Sequence, residues 1–139
     1  MSTIKPTERK RLLDVLINII IPLFIGFIIY CTVNKSTYIS EILNIPVSIN
    51  ITGVFGLFVK CWLCDMLWSY AFVFALSYAL SAFRHPVLIA AIISLCIGIV
   101  LELLQLFGII TGTFDILDII FELAAVLLAV GVKKRRVRI

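Results

Sequence analysis

The chain has 139 residues, of which 63% are hydrophobic and only 14% are charged, and its mean hydropathy is +1.19. A water-soluble domain of this size cannot hydrate so apolar a surface, which excludes that class and predicts an integral membrane protein. The formal net charge is +4, and most basic residues lie near the two ends of the chain. The length suffices for about four spans of roughly 20 residues each.

Four apolar stretches predict an all-α, four-helix transmembrane bundle that forms a single domain over residues 1–139. Span one runs from about Leu12 to Val33. Its apolar run is too long for a signal peptide and no small-residue cleavage site follows, so we expect an uncleaved helix. Polar and small residues at i, i+4 steps predict a packing face, which consists of Asp14, Asn18, Pro22 and Gly26. Pro22 lacks an N–H group and predicts a kink.

The longest connection runs from Asn34 to Lys60. Its apolar part, ITGVFGLFV at 51–59, is short and contains two glycines, so we interpret it as an interfacial or re-entrant segment that shields the acidic residues described below. Span two follows, from about Trp62 to Phe83. Trp62 and Trp68 near its start are typical of an aromatic belt, and Asp65 lies one helical turn before a serine on the same face.

Spans three and four are predicted at about 86–107 and 114–132, joined by an uncharged turn at 108–113. Pro86 suits the first turn of a helix, and His85 before it is expected in an exposed loop. One face of span three combines small and polar residues: Ala91, Ser94, Gly98, Glu102 and Gln105. One face of span four begins with carboxylates and continues with alanines: Asp115, Asp118, Glu122, Ala125 and Ala129.

The distribution of charge predicts the topology. The two tails and the turn at Arg84 hold ten of the twelve Lys and Arg residues. By the positive-inside rule these segments are cytoplasmic, so we expect both termini to lie inside and the chain to be a multi-pass protein of a cytoplasmic membrane. The tails are short and lack aromatic residues, so we expect them to contact anionic lipid headgroups and not nucleic acid.

Five of the eight acidic residues are predicted to meet at one depth near the outer surface. The candidate site for a ligand or an ion comprises Asp65, Glu102, Gln105, Asp115, Asp118 and Glu122. A charged residue costs about 2.5–3.5 kcal/mol at the centre of a membrane helix on insertion scales, so such residues usually face a bundle interior or a water-filled cavity. No cofactor is predicted, and no side chain is assigned a catalytic role.

Four interpretations of this acidic group remain open. It is suited to hold a cation such as Mg²⁺, Ca²⁺ or Na⁺ through oxygen ligands. It is equally suited to carry protons, or to bind the positive part of an outer-leaflet lipid or antibiotic. The fourth interpretation is a structural network, with Gln105, Thr111, Thr113 and Lys60 as partners.

Cys61 and Cys64 form a C-x-x-C motif at the start of span two, a position that resembles the DsbB-type membrane disulfide oxidoreductases. That chemistry needs a second cysteine pair in the other outer loop, and the turn at 108–113 has none. We therefore expect the four cysteines, which include Cys31 and Cys96, to act as small apolar packing residues.

Three segments resemble the VanZ-like family of small bacterial membrane proteins: DMLW at 65–68, ELLQ at 102–105 and FDILDIIFE at 114–122. Glu102, Gln105, Asp115 and Asp118 match the family pattern of Glu-x-x-Gln and Asp-x-x-Asp. The chain lacks the family arginine in the turn and has Glu122 where asparagine is usual and Ala125 where glycine is usual. The resemblance implies a multi-pass envelope protein associated with low-level resistance to teicoplanin-type lipoglycopeptides.

Three functions follow as hypotheses. The first is a VanZ-like, non-enzymatic envelope protein whose acidic outer-leaflet site engages a lipid-linked or amphipathic ligand and serves antibiotic resistance or lipid and envelope homeostasis. The second is a small proton- or cation-coupled carrier, with a homo-oligomer as an open alternative. The third is a metal-dependent enzyme that acts on a lipid headgroup.

Overall fold

The computed structural model describes residues 6–33, 51–110 and 113–137, and over these residues the chain is all-helical and contains four helices. Two of the four are interrupted by a π-helical turn. Helix α1 comprises Pro6–Val15, the π turn Leu16–Ile20 and Ile21–Val33; α2 comprises Gly53–Phe58, the π turn Val59–Leu63 and Cys64–Ala79; α3 is Pro86–Leu106; and α4 is Ile116–Val137. The predicted all-α fold is confirmed.

Three of the four helices are long and apolar enough to cross a membrane, namely those at Glu8–Val33, Gly53–Ala79 and Pro86–Leu106. Large apolar side chains cover their outer surfaces: Phe24, Ile92 and Val100 are each at least half exposed. Such a surface is suited to lipid and not to water. Helix α4 has 22 residues, but acidic residues near its start and basic residues near its end make it less apolar.

Helix α2 begins much earlier than expected. Predicting 51–59 as a segment separate from span two was wrong, because the first helical turns of α2 start at Gly53 and continue through the π turn. Gly56 lies inside this helix and does not end it. The residue is buried, and any Cβ at this position would collide with the Ile51 carbonyl, so only glycine fits here. Asp65 consequently lies near the middle of α2 and not near its start.

The other helix bounds agree more closely. Helix α3 begins at Pro86 as predicted and ends one residue early, while α1 and α4 each extend beyond the predicted spans toward the basic tails. Gly108 ends α3 because its φ of 67° suits the left-handed position after a helix. There the N–H of Gly108 donates to the Gln105 carbonyl and the N–H of Ile109 to the Leu104 carbonyl, at 2.9 Å each. This Schellman motif turns the chain toward α4.

Helix α2 is the centre of the bundle, packing against α1, α3 and α4, and α3 also packs along α4. The buried core consists of small and medium side chains with one aromatic ring: Val73, Phe74, Ala90, Ala91, Val126 and Ala129. Small residues allow helices to approach closely, which supplies the van der Waals contact that holds membrane helices together. The predicted small-residue faces of spans three and four are confirmed as buried faces.

The end of the bundle where α1 begins and α4 ends, the tail end, holds a network of polar side chains. Asn18, which is 2% exposed, donates to the Asp14 carboxylate at 2.9 Å and accepts a hydrogen bond from the Tyr70 hydroxyl at 2.8 Å. The Tyr78 hydroxyl also donates to Asp14. The Lys133 ammonium lies 3.3 Å from Asp14 Oδ2 and 3.5 Å from the Tyr78 ring centroid. This network joins the first and last helices through α2.

The kink predicted at Pro22 takes the form of a π turn just before it. Proline has no N–H, and its ring clashes with the carbonyl four residues earlier, here that of Asn18, in a regular helix. Along Leu16–Ile20 the helix widens, and the N–H of Ile21 bonds to the Leu16 carbonyl. Within this turn Asn18 is buried and contacts the tail-end network.

Changing either partner of the ion pair at the tail end is expected to destabilise the bundle. Asp14→Asn and Lys133→Met should each lower the free energy of unfolding by about 1–3 kcal/mol, because each leaves a partly buried charge without its partner. The double variant should lose less than the sum of the two. Unfolding in mixed detergent micelles, followed by circular dichroism, measures this coupling, and strictly additive losses would contradict it.

Candidate functional site

A cavity of about 570 Å³ lies between the helices, and all four contribute to its wall. Its polar lining comprises Asp65, Ser69, Ser94, Glu102, Gln105, Asp118 and Glu122. Its apolar lining includes Leu23, Trp68, Phe72, Ala75, Ile97 and Leu101. We call this space the acidic cavity, because four carboxylates and no basic side chain line it along the described residues.

Five of the six predicted site residues line the acidic cavity, and the sixth does not. Asp115 instead caps the start of α4, where its carboxylate oxygen Oδ1 accepts a hydrogen bond from the Leu117 N–H at 2.9 Å. Acidic side chains are favoured at this position because the first N–H groups of a helix have no partner within it. The lining of the cavity does not include Asp115, and the assignment of this residue to the ligand site stays a prediction.

Glu102 is the most buried of the four carboxylates, with 8% of its surface exposed. Its Oε2 accepts a hydrogen bond from the backbone N–H of Asp115 at 3.1 Å. This contact fixes the end of α3 to the residue that caps α4. The side chain thus contributes to the turn between the two helices as well as to the wall of the cavity.

Glu122 fits against α3 because residue 98 is a glycine. Any Cβ at Gly98 would overlap the Glu122 carboxylate, so only a residue without a side chain leaves room for it. From α2, the Ser69 hydroxyl donates to Glu122 Oε1 at 3.0 Å. Glu122 is thereby held between three helices, with its charge facing the acidic cavity.

The acidic cavity is open to its surroundings and has no internal counter-ion. Asp65 lines it and yet is exposed. No Lys, Arg or His nitrogen of residues 8–33, 51–110 or 113–135 forms an ion pair with Asp65, Glu102, Asp118 or Glu122. Lys60, the predicted cation for this group, is an exposed residue with no such contact. Thr111, another predicted partner, lies outside the described residues.

A polar side chain deep in the cavity wall also lacks a partner. Ser94 is 2% exposed and lines the cavity, and its hydroxyl makes no hydrogen bond to any residue that the structure describes. A polar occupant of the cavity would supply that partner.

Trp68 was predicted as part of an aromatic belt, but the structure places it at the acidic cavity, where it is 50% exposed. Gly26 of α1 makes room for it, because a Cβ there would lie 2.8 Å from Trp68 Nε1. The pairing of a small residue on span one with a tryptophan on span two was the available signal. Trp62 instead stacks on Phe121 with ring centroids 4.9 Å apart.

The four cysteines differ in solvent exposure. Cys61 and Cys96 are exposed, Cys31 and Cys64 are buried, and all four are free thiols. The Cys64 thiol donates to the Gly26 carbonyl at 3.4 Å, which is a packing contact between α2 and α1. His85 is exposed in the turn before α3, as expected.

Within the described ranges, no three His, Cys, Asp or Glu side chains are grouped closely enough to hold a metal ion. The carboxylates of the acidic cavity are instead distributed along its wall. Comparison of the chain with protein-family models, with curated proteins and with solved structures gave no match. The assignment of a function therefore depends on the geometry of this cavity and on the sequence.

Adding a methyl group at residue 98 is expected to displace Glu122. Gly98→Ala should lower the free energy of unfolding by at most about 1 kcal/mol, the lower end of the cost of overpacking, because the atoms it meets are the mobile end of the Glu122 side chain. In a Glu122→Ala background the same change should cost much less, because the colliding carboxylate is gone. Gly131→Ala is the matched control, since open space surrounds that glycine, and it should be neutral or stabilising. Equal losses in both backgrounds would show that Gly98 does not accommodate Glu122.

Proposed function

We propose that this chain is a multi-pass protein of the bacterial cell envelope whose acidic cavity engages a lipid-linked or amphipathic ligand in the outer leaflet. The observation that supports the proposal best is the composition of the cavity wall. Four carboxylates without a basic partner share one open space with apolar and aromatic side chains. Ligand sites are typically concave, mostly apolar and furnished with a few placed polar groups, and 570 Å³ is within their usual range of about 300–1,000 Å³.

The proposed orientation places the tail end in the cytoplasm and α4 across the membrane as the fourth span. Ten of the twelve basic residues lie in the two tails and in the turn at Arg84, which all belong to the tail end. The positive-inside rule then places the junction of α3 and α4 near the outer surface. The hydrophilic groups of α4 face the bundle, since Glu122 contacts Ser69 and Lys133 contacts Asp14. Polar residues facing inward allow such a helix to span.

The VanZ-like resemblance gives this proposal a biological setting. Of the four residues that match the family pattern, Glu102, Gln105 and Asp118 line the acidic cavity, and Asp115 positions Glu102 through its N–H group. The setting is low-level resistance to teicoplanin-type lipoglycopeptides, or maintenance of lipid and envelope composition. The role proposed is binding and not catalysis.

A proton- or cation-coupled carrier is the second candidate, and one observation favours it. Titratable groups occupy both ends of the bundle, the acidic cavity at one and the network around Asp14 at the other. Ser69 of the cavity and Tyr70 of the network are neighbours on α2. Chains of polar side chains that approach each other across a membrane are typical of proton relays.

Replacing the most buried cavity carboxylate tests both candidates in cells. Cells that carry Glu102→Gln should become as susceptible to a teicoplanin-type lipoglycopeptide as cells without the protein. The loss of charge removes the attraction for a cationic group while the side-chain volume is kept. Glu8→Gln is the matched control, because Glu8 is exposed at the start of α1, and it should retain full protection.

The amounts of both variants in the membrane are compared by immunoblotting, so that a folding defect is recognised. The carrier hypothesis predicts a different pattern. In proteoliposomes, Glu102→Gln would abolish a pH-driven flux that the wild-type protein supports, and antibiotic susceptibility would not change. Retained protection in cells together with absence of any flux would contradict both proposals.

A further inference from the structure

We infer that the acidic cavity selects a long-chain amphiphile whose headgroup is a protonated amine without a phosphate, and that this ligand enters sideways from the bilayer between α1 and α3. The inference rests on the proposed function and adds to it the chemical class of the ligand and its route of entry. It draws on the charge of the wall, on an unpartnered hydroxyl within it and on the packing of the helices.

The charge of the cavity wall favours an ammonium group and disfavours a phosphate. No basic side chain among the residues that line the cavity offsets the four carboxylates. A phosphate beside the amine, as in common zwitterionic lipids, would be repelled by the same carboxylates that attract the amine. The rings of Trp68 and Phe72 on the same wall are suited to contact a cation through their faces.

Polar groups of the cavity wall extend along α3. Glu102, the close approach of Glu122 at Gly98, and Ser94 follow each other at four-residue steps, which span about 12 Å at 1.5 Å per residue. Ser94 is 2% exposed and lines the cavity, and its hydroxyl has no hydrogen-bond partner among the described residues. An occupant of the cavity would supply that partner. An ammonium group donates three hydrogen bonds, and the Ser94 hydroxyl is suited to accept one of them.

The described helices leave one side of the cavity uncovered. Helix α1 packs along α2, and α3 packs along α2 and α4, whereas α1 and α3 make no extended contact with each other over their described residues. We take as the rim on this side four apolar lining residues of α1, α2 and α3, namely Leu23, Phe72, Ile97 and Leu101. The last three are 38–47% exposed, so they face both the cavity and the surroundings. An alkyl chain can lie along this rim while its amine reaches the carboxylates.

Fluorescence quenching tests the inference in the intact protein. The chain is reconstituted in phosphatidylcholine vesicles, and a long-chain amine brominated on its chain is compared with the alcohol of equal length and bromination. Trp68 reports occupancy, because it lines the cavity, and the Trp68→Phe variant measures the contribution of Trp62. The amine should quench several-fold more than the alcohol at equal mole fraction. Trp68→Phe and Glu102→Gln should abolish that excess, and Glu8→Gln should retain it.

A second comparison, made with brominated lipids and the wild-type protein, shows whether the amine of a phospholipid also binds. Brominated phosphatidylethanolamine should quench no more than brominated phosphatidylcholine. Quenching by phosphatidylethanolamine equal to that of the amine would overturn the exclusion of phosphate. Equal quenching by amine and alcohol, both above the lipid level, would overturn amine selection and leave the proposed function intact. Quenching by neither above the lipid level would overturn both.

Discussion

The structure depends on how four carboxylates are kept inside an apolar helical bundle without a neighbouring cation. A charge in a low-dielectric environment is expensive unless it is paired, hydrogen-bonded or in contact with water. Here the protein supplies isolated donors: the Asp115 N–H to Glu102 and the Ser69 hydroxyl to Glu122. The remaining requirement is met by the open cavity, which Asp65 and Asp118 also line. Such a cavity lowers the stability of the fold, so a role in ligand binding explains it better than a structural role does.

At the tail end of the bundle, by contrast, the carboxylate of Asp14 has several hydrogen-bond donors and a cation. Asp14 is surrounded by donors, with Asn18, Tyr78 and Lys133 all within hydrogen-bond reach. Such saturation is what a structural ion pair requires, because an imperfectly satisfied buried pair destabilises. Asp14 at the tail end has a cation and several donors, whereas the described carboxylates of the cavity have at most single donors and no cation. This contrast distinguishes a structural ion pair from a candidate ligand site. The Asp14–Lys133 ion pair also joins α1 to α4 at the tail end.

Much of this arrangement could be predicted from the sequence. Period-3.6 faces on spans three and four correctly placed Glu102, Gln105, Asp118 and Glu122 toward the bundle interior, because a membrane helix has few ways to hide a polar residue. Gly56 misled the assignment of α2, since a glycine that packs against a carbonyl and one that ends a helix read alike. Asp115 caps α4, and capping favours the same residue type as ligand binding, so the sequence alone does not distinguish the two roles. The Asp14–Lys133 pair joins residues 119 positions apart, and no local sequence pattern predicts it.

The claim at the centre of this account is that carboxylates from α2, α3 and α4 share one negatively charged, accessible cavity. Charge-dependent labelling of Ser94→Cys tests it most directly, in a background without the four natural cysteines, because residue 94 lies in the wall of that cavity. Of two methanethiosulfonate reagents of similar size, the positively charged one should react several-fold faster than the negatively charged one, and Glu122→Gln should reduce the ratio. Equal rates for the two reagents, or no reaction with either, would contradict a shared acidic cavity.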